Sequence, residues 1–263
     1  MLGKLMKYEF KATGRTILPL YGGLLIFALI LRVLSSNLEF STSNFSKFVI
    51  ALSIFIYGFI MATVFVATFF IIVQRFRKNL LGDEGYLMHT LPIMPYKNIL
   101  SKLITSSVWS IVSCIIASFS ILILVVNKNI IYMFFYNIIP SIKSAFDEFG
   151  ILAYVIFVEI IILALLNLVQ FILALYASIS IGHLFNSSKI LLSIAAFIAL
   201  NAIEGFITSN FFLDSNYILD SLFSSINNNS NNFSWLLIIC IIIEIIYSSI
   251  YFFITNYSKR FNI

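Results

Sequence analysis

Charge is what this chain of 263 residues has least of: 10% of its residues are Asp, Glu, Lys or Arg, against 61% that are hydrophobic. Ordinary soluble domains carry about 25% charged residues. A chain with so few cannot cover a globular surface with polar groups, which excludes a soluble enzyme, a nucleic-acid-binding domain and a disordered tail. Cysteine is scarce too. Cys114 and Cys240 both lie in apolar runs and are read as small core residues, not as a disulfide or metal pair. Catalytic signatures are missing as well. With no G-x-x-x-x-G-K-S/T phosphate loop the chain cannot hydrolyse ATP alone, and neither a G-x-S-x-G elbow nor an H-E-x-x-H helix appears. His89 and His183 are isolated, so each reads as a surface or capping histidine and not as a metal ligand.

What the chain has in abundance is long apolar runs, with a mean hydropathy of +1.04. Segments run from Thr16 to Leu34, Phe48 to Val73, Ile99 to Val126, Ile151 to Ser178, Ile190 to Ile207 and Phe233 to Thr255. Each is near or above the roughly 17–25 residues that a spanning helix needs. Their β-branched content does not argue for strands, because membrane strands alternate over about 10 residues and these runs are unbroken. The expected fold is an all-α integral membrane protein of six transmembrane helices, a single transmembrane domain over residues 1–263. No small-residue cleavage site follows the first run, which is therefore expected to act as an uncleaved anchor.

The few charges set the orientation. Of the 16 basic residues, 12 fall on one side: Lys4, Lys7, Lys11, Arg15, Arg75, Arg77, Lys78, Lys97, Lys102, Lys189, Lys259 and Arg260. Lys47, Lys128, Lys143 and Arg32 fall on the other. By the positive-inside rule both termini are cytoplasmic, and the net charge of +5 reflects topology, not nucleic-acid binding.

Three segments outside the spans carry information. On a helix over residues 1–15, Lys4, Lys7, Lys11 and Arg15 fall on one side and Leu2, Leu5, Met6 and Phe10 on the other, the pattern of an interfacial helix with its cations toward anionic lipid headgroups. Glu9 breaks that pattern. It either snorkels or pairs with a nearby lysine, or the helix packs against protein that supplies a partner. The inner loop from Gln74 to Lys102 contains Gly82, Asp83, Glu84, Gly85, Tyr86, Leu87 and Met88. Asp83 and Glu84 suit a helix N-terminus, and Pro92 and Pro95 end the helix, so a short helix is expected over residues 82–90. It is either a solvated loop touching the membrane surface or a docking knob for a cytoplasmic partner. After Pro140, the spacing of Ile138, Ile142, Phe146 and Phe149 predicts a short helix on the outer face.

Glu159, Glu204 and Glu244 lie inside spans four, five and six. A charge at the bilayer centre costs about 2.5–3.5 kcal/mol on insertion scales, so such groups face a bundle interior or a cavity. Arg32 is the basic residue at comparable depth and is a candidate partner for one of them. Together the four mark a substrate path or a subunit interface, the alternative being carboxyls that are protonated or paired purely for packing. Asn167 and Gln170 could extend the polar seam or join helices.

The opening Met1-Leu2-Gly3-Lys4-Leu5-Met6-Lys7-Tyr8-Glu9-Phe10-Lys11-Ala12-Thr13-Gly14-Arg15 resembles the start of permease subunits of type-2 ABC exporters from Gram-positive bacteria. The stretches from Lys78 to Met88 with Thr90-Leu91-Pro92, and from Tyr176 to Phe185, are similar to that group in position and character. The resemblance covers the whole chain in topology and only these stretches in detail. It implies a multi-pass protein of the bacterial cytoplasmic membrane that works with a second permease copy or paralogue and a separate cytoplasmic ABC ATPase subunit. ATP and Mg would be bound by that partner, and this chain would hold no cofactor and not be an enzyme. The short inner helix would be the coupling helix that docks on the ATPase, and the N-terminal segment with Lys7, Glu9 and Lys11 the interface helix beside it. The apolar loop before span six would be re-entrant. Cargo in the wider family includes antimicrobial peptides, drugs, lipids and polysaccharides. Two other readings stay open: an ion- or proton-coupled secondary transporter using the intramembrane glutamates, and a non-transporting immunity or sensor partner.

Overall fold

A computed structural model describes residues 2–38, 44–78, 95–126, 132–185, 188–213 and 230–261. Among the described residues the secondary structure is all helical. The elements are α1 (Leu2–Leu38), α2 (Asn44–Phe76), α3 (Pro95–Val125), a π turn over Phe134–Ile138 that runs into α4 (Ile139–Phe149), α5 (Ile151–Gly182), α6 (Lys189–Leu213) and α7 (Ser230–Phe261). All but α4 are long and apolar enough to cross a membrane, giving six candidate spans, and the chain is a multi-pass membrane protein. Lipid offers no partners for backbone N–H and C=O groups, so these sequences satisfy them within each helix. The expected coupling segment, Gly82 through Met88 with residues 89 and 90, lies outside the described residues, as does the loop over residues 214–229.

The amphipathic start of the chain is not a separate helix. α1 runs unbroken for 37 residues, about 55 Å at 1.5 Å per residue, well beyond a hydrocarbon core of about 30 Å. Nothing near Arg15 ends it, and Pro19 lies inside the helix. A proline there removes a single i→i−4 bond, which membrane helices tolerate.

The helices form two compact units. The first joins α1, most of α2 and α3. Its core on α1 is Ile17, Tyr21, Leu24, Ala28 and Leu31, alternating four and three residues apart, the spacing of a narrow helix–helix seam. Tyr57 and Val64 of α2 are buried with it, and Trp109, Val112 and Ile116 of α3 pack against it. Buried hydroxyls add specific links: Tyr21 Oη donates to the carbonyl of Trp109 (3.2 Å), and Tyr57 Oη shares a hydrogen bond with Ser120 Oγ (2.7 Å).

The second unit is built on α5, which packs against both α6 and α7. Every residue from Ile172 to Ser180 is buried, so this stretch near the C-terminal end of α5 is covered on all sides. Tyr176 stacks on Phe76 with ring centroids 3.9 Å apart and planes 9° apart. Gly150, at φ +57°, turns the chain between α4 and α5. α4 then lies against α5 through Phe146, whose ring is 4.7 Å from that of Tyr154.

Large apolar side chains on the outer faces, among them Ile26, Phe55, Phe59, Phe70, Phe206 and Phe253, are exposed, as expected of surfaces solvated by lipid tails. The same fact corrects the reading of Cys114 as a core residue. It is exposed, because an apolar run in a spanning helix faces lipid as readily as protein. Cys240 is half-buried, and both thiols are free.

Candidate functional site

Two polar constellations stand out, one in each unit. In the first, the Glu9 carboxylate accepts from Arg75 Nη1 at 2.8 Å and from Lys102 Nζ at 2.6 Å. The side chains of Glu9 and Lys102 are 10% and 4% exposed, against 28% for Arg75. Thr13 Oγ1 donates to the Glu9 carbonyl at 2.7 Å, one turn further along the seam. Of the two sequence readings of Glu9, the structure has the second: the helix packs against protein, and the partners come from α2 and α3. Lys7 and Lys11 are exposed. Arg75 lies at the end of α2 and Lys102 two turns into α3, so one carboxylate ties the helical stems on either side of the inner loop to the N-terminal segment.

Arg32 reaches main-chain carbonyls of the first unit. It donates from Nη1 to the Leu124 carbonyl at 2.8 Å and from Nη2 to the Val126 carbonyl. These oxygens belong to the C-terminal end of α3, where a helix leaves carbonyls without internal partners. The bonds described for Arg32 thus go to main chain within the first unit.

The glutamates form the second constellation. Glu159 on α5 accepts from Ser234 Oγ on α7 at 2.7 Å. Glu244 on α7 accepts from Asn167 Nδ2 on α5 at 3.1 Å. Glu204 on α6 accepts from Gln170 Nε2 on α5 and from Tyr251 Oη on α7, the latter at 2.8 Å. The rungs climb α5 and α7 together, from Glu159–Ser234 through Asn167–Glu244 to Gln170 and Tyr251, which is the register of two parallel helices with α6 joining at the last rung. All the donors are neutral. Glu159 Oε2 and Glu244 Oε2 are buried with no hydrogen-bond partner among the described residues. Each of these two carboxyls therefore keeps one oxygen outside the rungs that hold the helices together.

Sequence reasoning placed the three glutamates, Asn167 and Gln170 in one seam but missed Tyr251 and Ser234. A signal for Tyr251 existed: it lies seven residues after Glu244, two helical turns on and on the same face. Interhelical hydrogen bonds in membranes are individually modest, about 0.6 kcal/mol on average with a maximum near 1.7. A double-mutant cycle of Glu204→Gln with Tyr251→Phe is accordingly expected to give a coupling of about 0.6–1.7 kcal/mol in detergent unfolding. A coupling indistinguishable from zero would remove this rung from the network.

No family model matches the chain, and no curated or structurally solved protein shows significant similarity to it.

Proposed function

We propose that this chain is the permease subunit of an ATP-driven exporter of the bacterial cytoplasmic membrane. It works beside a second copy or paralogue and a separate cytoplasmic ABC ATPase that binds ATP and Mg, and moves a hydrophobic or amphipathic cargo outward. Support comes from six candidate spans, from the resemblance of the N-terminal and inner-loop stretches to such permeases, and above all from the Glu9 cluster. A coupling loop must convert a push from a cytoplasmic subunit into helix movement. A loop whose two stems, at Arg75 and Lys102, are locked to Glu9 transmits such a push to α1, α2 and α3 at once and does not absorb it. Gly82, Asp83, Glu84, Gly85, Tyr86, Leu87 and Met88, between those stems, supply the docking surface.

The test is co-purification of the full chain with a candidate ATPase, followed by ATP-driven transport in vesicles. Charge placed in the docking segment, as in Tyr86→Glu with Leu87→Glu, is expected to abolish ATPase capture while the protein remains inserted. Capture and transport that survive the double substitution would overturn the assignment of that segment.

A second reading is favoured by a different observation, the neutral-donor seam around Glu159, Glu204 and Glu244. These carboxyls suit a proton- or ion-coupled secondary transporter. Flux driven by a proton gradient in vesicles free of any ATPase, and lost in Glu204→Gln, would favour it over the exporter.

A further inference from the structure

At the end of the second unit where α5 stops and α6 starts, a cleft of about 720 Å³ opens, lined by Arg77, His183, Ser188, Lys189, Ile190, Leu191 and Ile194. Its polar rim is basic. Arg77 follows α2, His183 follows the last residue of α5, and Lys189 is the first residue of α6, so three chain segments converge on it. No carboxylate lines it among the described residues. Its floor is apolar: Ile190, Leu191 and Ile194 fall on one face of the first turns of α6 and are 62%, 67% and 56% exposed. A cationic rim over an apolar wall at the end of a spanning helix complements one kind of molecule, an anion that carries a hydrocarbon chain.

We propose that this cleft binds an anionic phospholipid of the adjoining leaflet, its phosphate held by Arg77 and Lys189 and its acyl chain lying on Ile190, Leu191 and Ile194. A soluble anion would leave the apolar wall bare. A zwitterionic headgroup would bring a second cation against the rim. The proposal does not rest on the exporter reading.

The charges on the rim already act on each other. Burial, with Lys189 and Arg77 beside it, holds the His183 imidazole below the usual histidine range. It is therefore neutral at pH 7. A bound phosphate would offset both neighbouring cations and draw the imidazole back up. By linkage, a group that binds its proton more tightly in the complex makes the complex tighter in acid. Binding should strengthen as the pH falls below about 6.5. Among the described residues, Arg77 just after α2 and Lys189 at the start of α6 are the charged groups that act on His183, and neither side chain loses its charge near neutral pH.

The experiment uses the full chain in neutral detergent micelles, titrated with dioleoylphosphatidylglycerol, with dioleoylphosphatidylcholine or with inorganic phosphate, with bound lipid counted by native mass spectrometry. Phosphatidylglycerol should bind in preference to phosphatidylcholine. A juxtamembrane cation is worth about a factor of five in affinity for anionic lipid, so Arg77→Gln and Lys189→Gln should each weaken binding about fivefold and together about twenty-five-fold. Lys143→Gln, which removes a charge outside the cleft, should leave it unchanged. Ile194→Asn should weaken lipid binding without affecting any binding of phosphate. In wild type the His183 ring resonances should titrate at higher pH once phosphatidylglycerol is bound, a readout that does not depend on a variant folding. Equal binding of the two lipids, unchanged binding in the double variant with a wild-type unfolding profile, or equal competition by inorganic phosphate would each overturn the proposal.

Discussion

Glu9→Ala is expected to destabilise the folded chain by about 3–5 kcal/mol, the usual cost of removing one partner from a buried ion pair. The cost lies less in the lost attraction than in what remains. Lys102 is 4% exposed, so its ammonium would stay almost wholly out of water after losing the carboxylate 2.6 Å away. Arg75, 28% exposed, can turn toward solvent and suffers less. The asymmetry gives a ranking. Lys102→Met should cost less than Glu9→Ala, because Arg75 still neutralises Glu9. Glu9→Leu combined with Lys102→Met should recover much of the loss, since replacing a buried pair by apolar groups of similar volume is often neutral. Denaturant unfolding in mixed micelles measures all three. A Glu9→Ala variant within about 1 kcal/mol of wild type would mean that the cluster is solvated and weak, as exposed ion pairs are.

Gly182→Ala is the second large effect. A Cβ built on Gly182 would stand 2.6 Å from the backbone nitrogen of Ser193 and 2.8 Å from the carbonyl oxygen of Lys189, with Ser193 Oγ closer still. The hydroxyl can rotate away, but the two main-chain atoms belong to the first turns of α6 and move only if the helix moves. Overpacking of this kind costs about 1–3 kcal/mol and occasionally more. Adding Ser193→Ala removes the side-chain clash and keeps the backbone ones, so it should restore only part of the stability. Full restoration would show that α6 can shift freely at this point. Because Gly182 adjoins His183, and Lys189 supplies one of the clashing oxygens, the single substitution should also disturb the basic cleft.

The six spans were legible because each needs only a continuous apolar run, a property of neighbouring residues. The continuity of α1 was not. Amphipathic and spanning stretches differ in the solvent they face, and nothing in that difference says whether the helix between them breaks. The partners of Glu9 were hidden for another reason. Arg75 and Lys102 lie 66 and 93 residues away, and a misplaced charge announces that it needs a partner without saying which. For Arg32, depth suggested a carboxylate, and its bonds to carbonyl oxygens at the end of α3 are ones that composition cannot reveal. The three glutamates were visible as costly residues, but pairing Asn167 with Glu244 and Gln170 with Glu204 requires the register of α5, α6 and α7. The stretch from Tyr176 to Phe185 drew attention by resemblance. In the fold it holds the Phe76 stack, the close approach of Gly182 to Lys189 and Ser193 across the turn into α6, and the rim residue His183, none of which can be read from that stretch by itself.

The ascending rungs between α5 and α7 also bear on how the protein is made. Synthesis delivers Glu159 and Glu204 to the membrane before Ser230–Phe261 exists, so during that interval neither Ser234 nor Tyr251 is there to donate to them. Gln170 can reach Glu204, but the α7 donors arrive last. Release of α5 into lipid on its own would strand an acidic group in hydrocarbon. The last three spans therefore have reason to wait for one another and enter the bilayer as a group, with the C-terminal helix completing an assembly that its predecessors cannot finish.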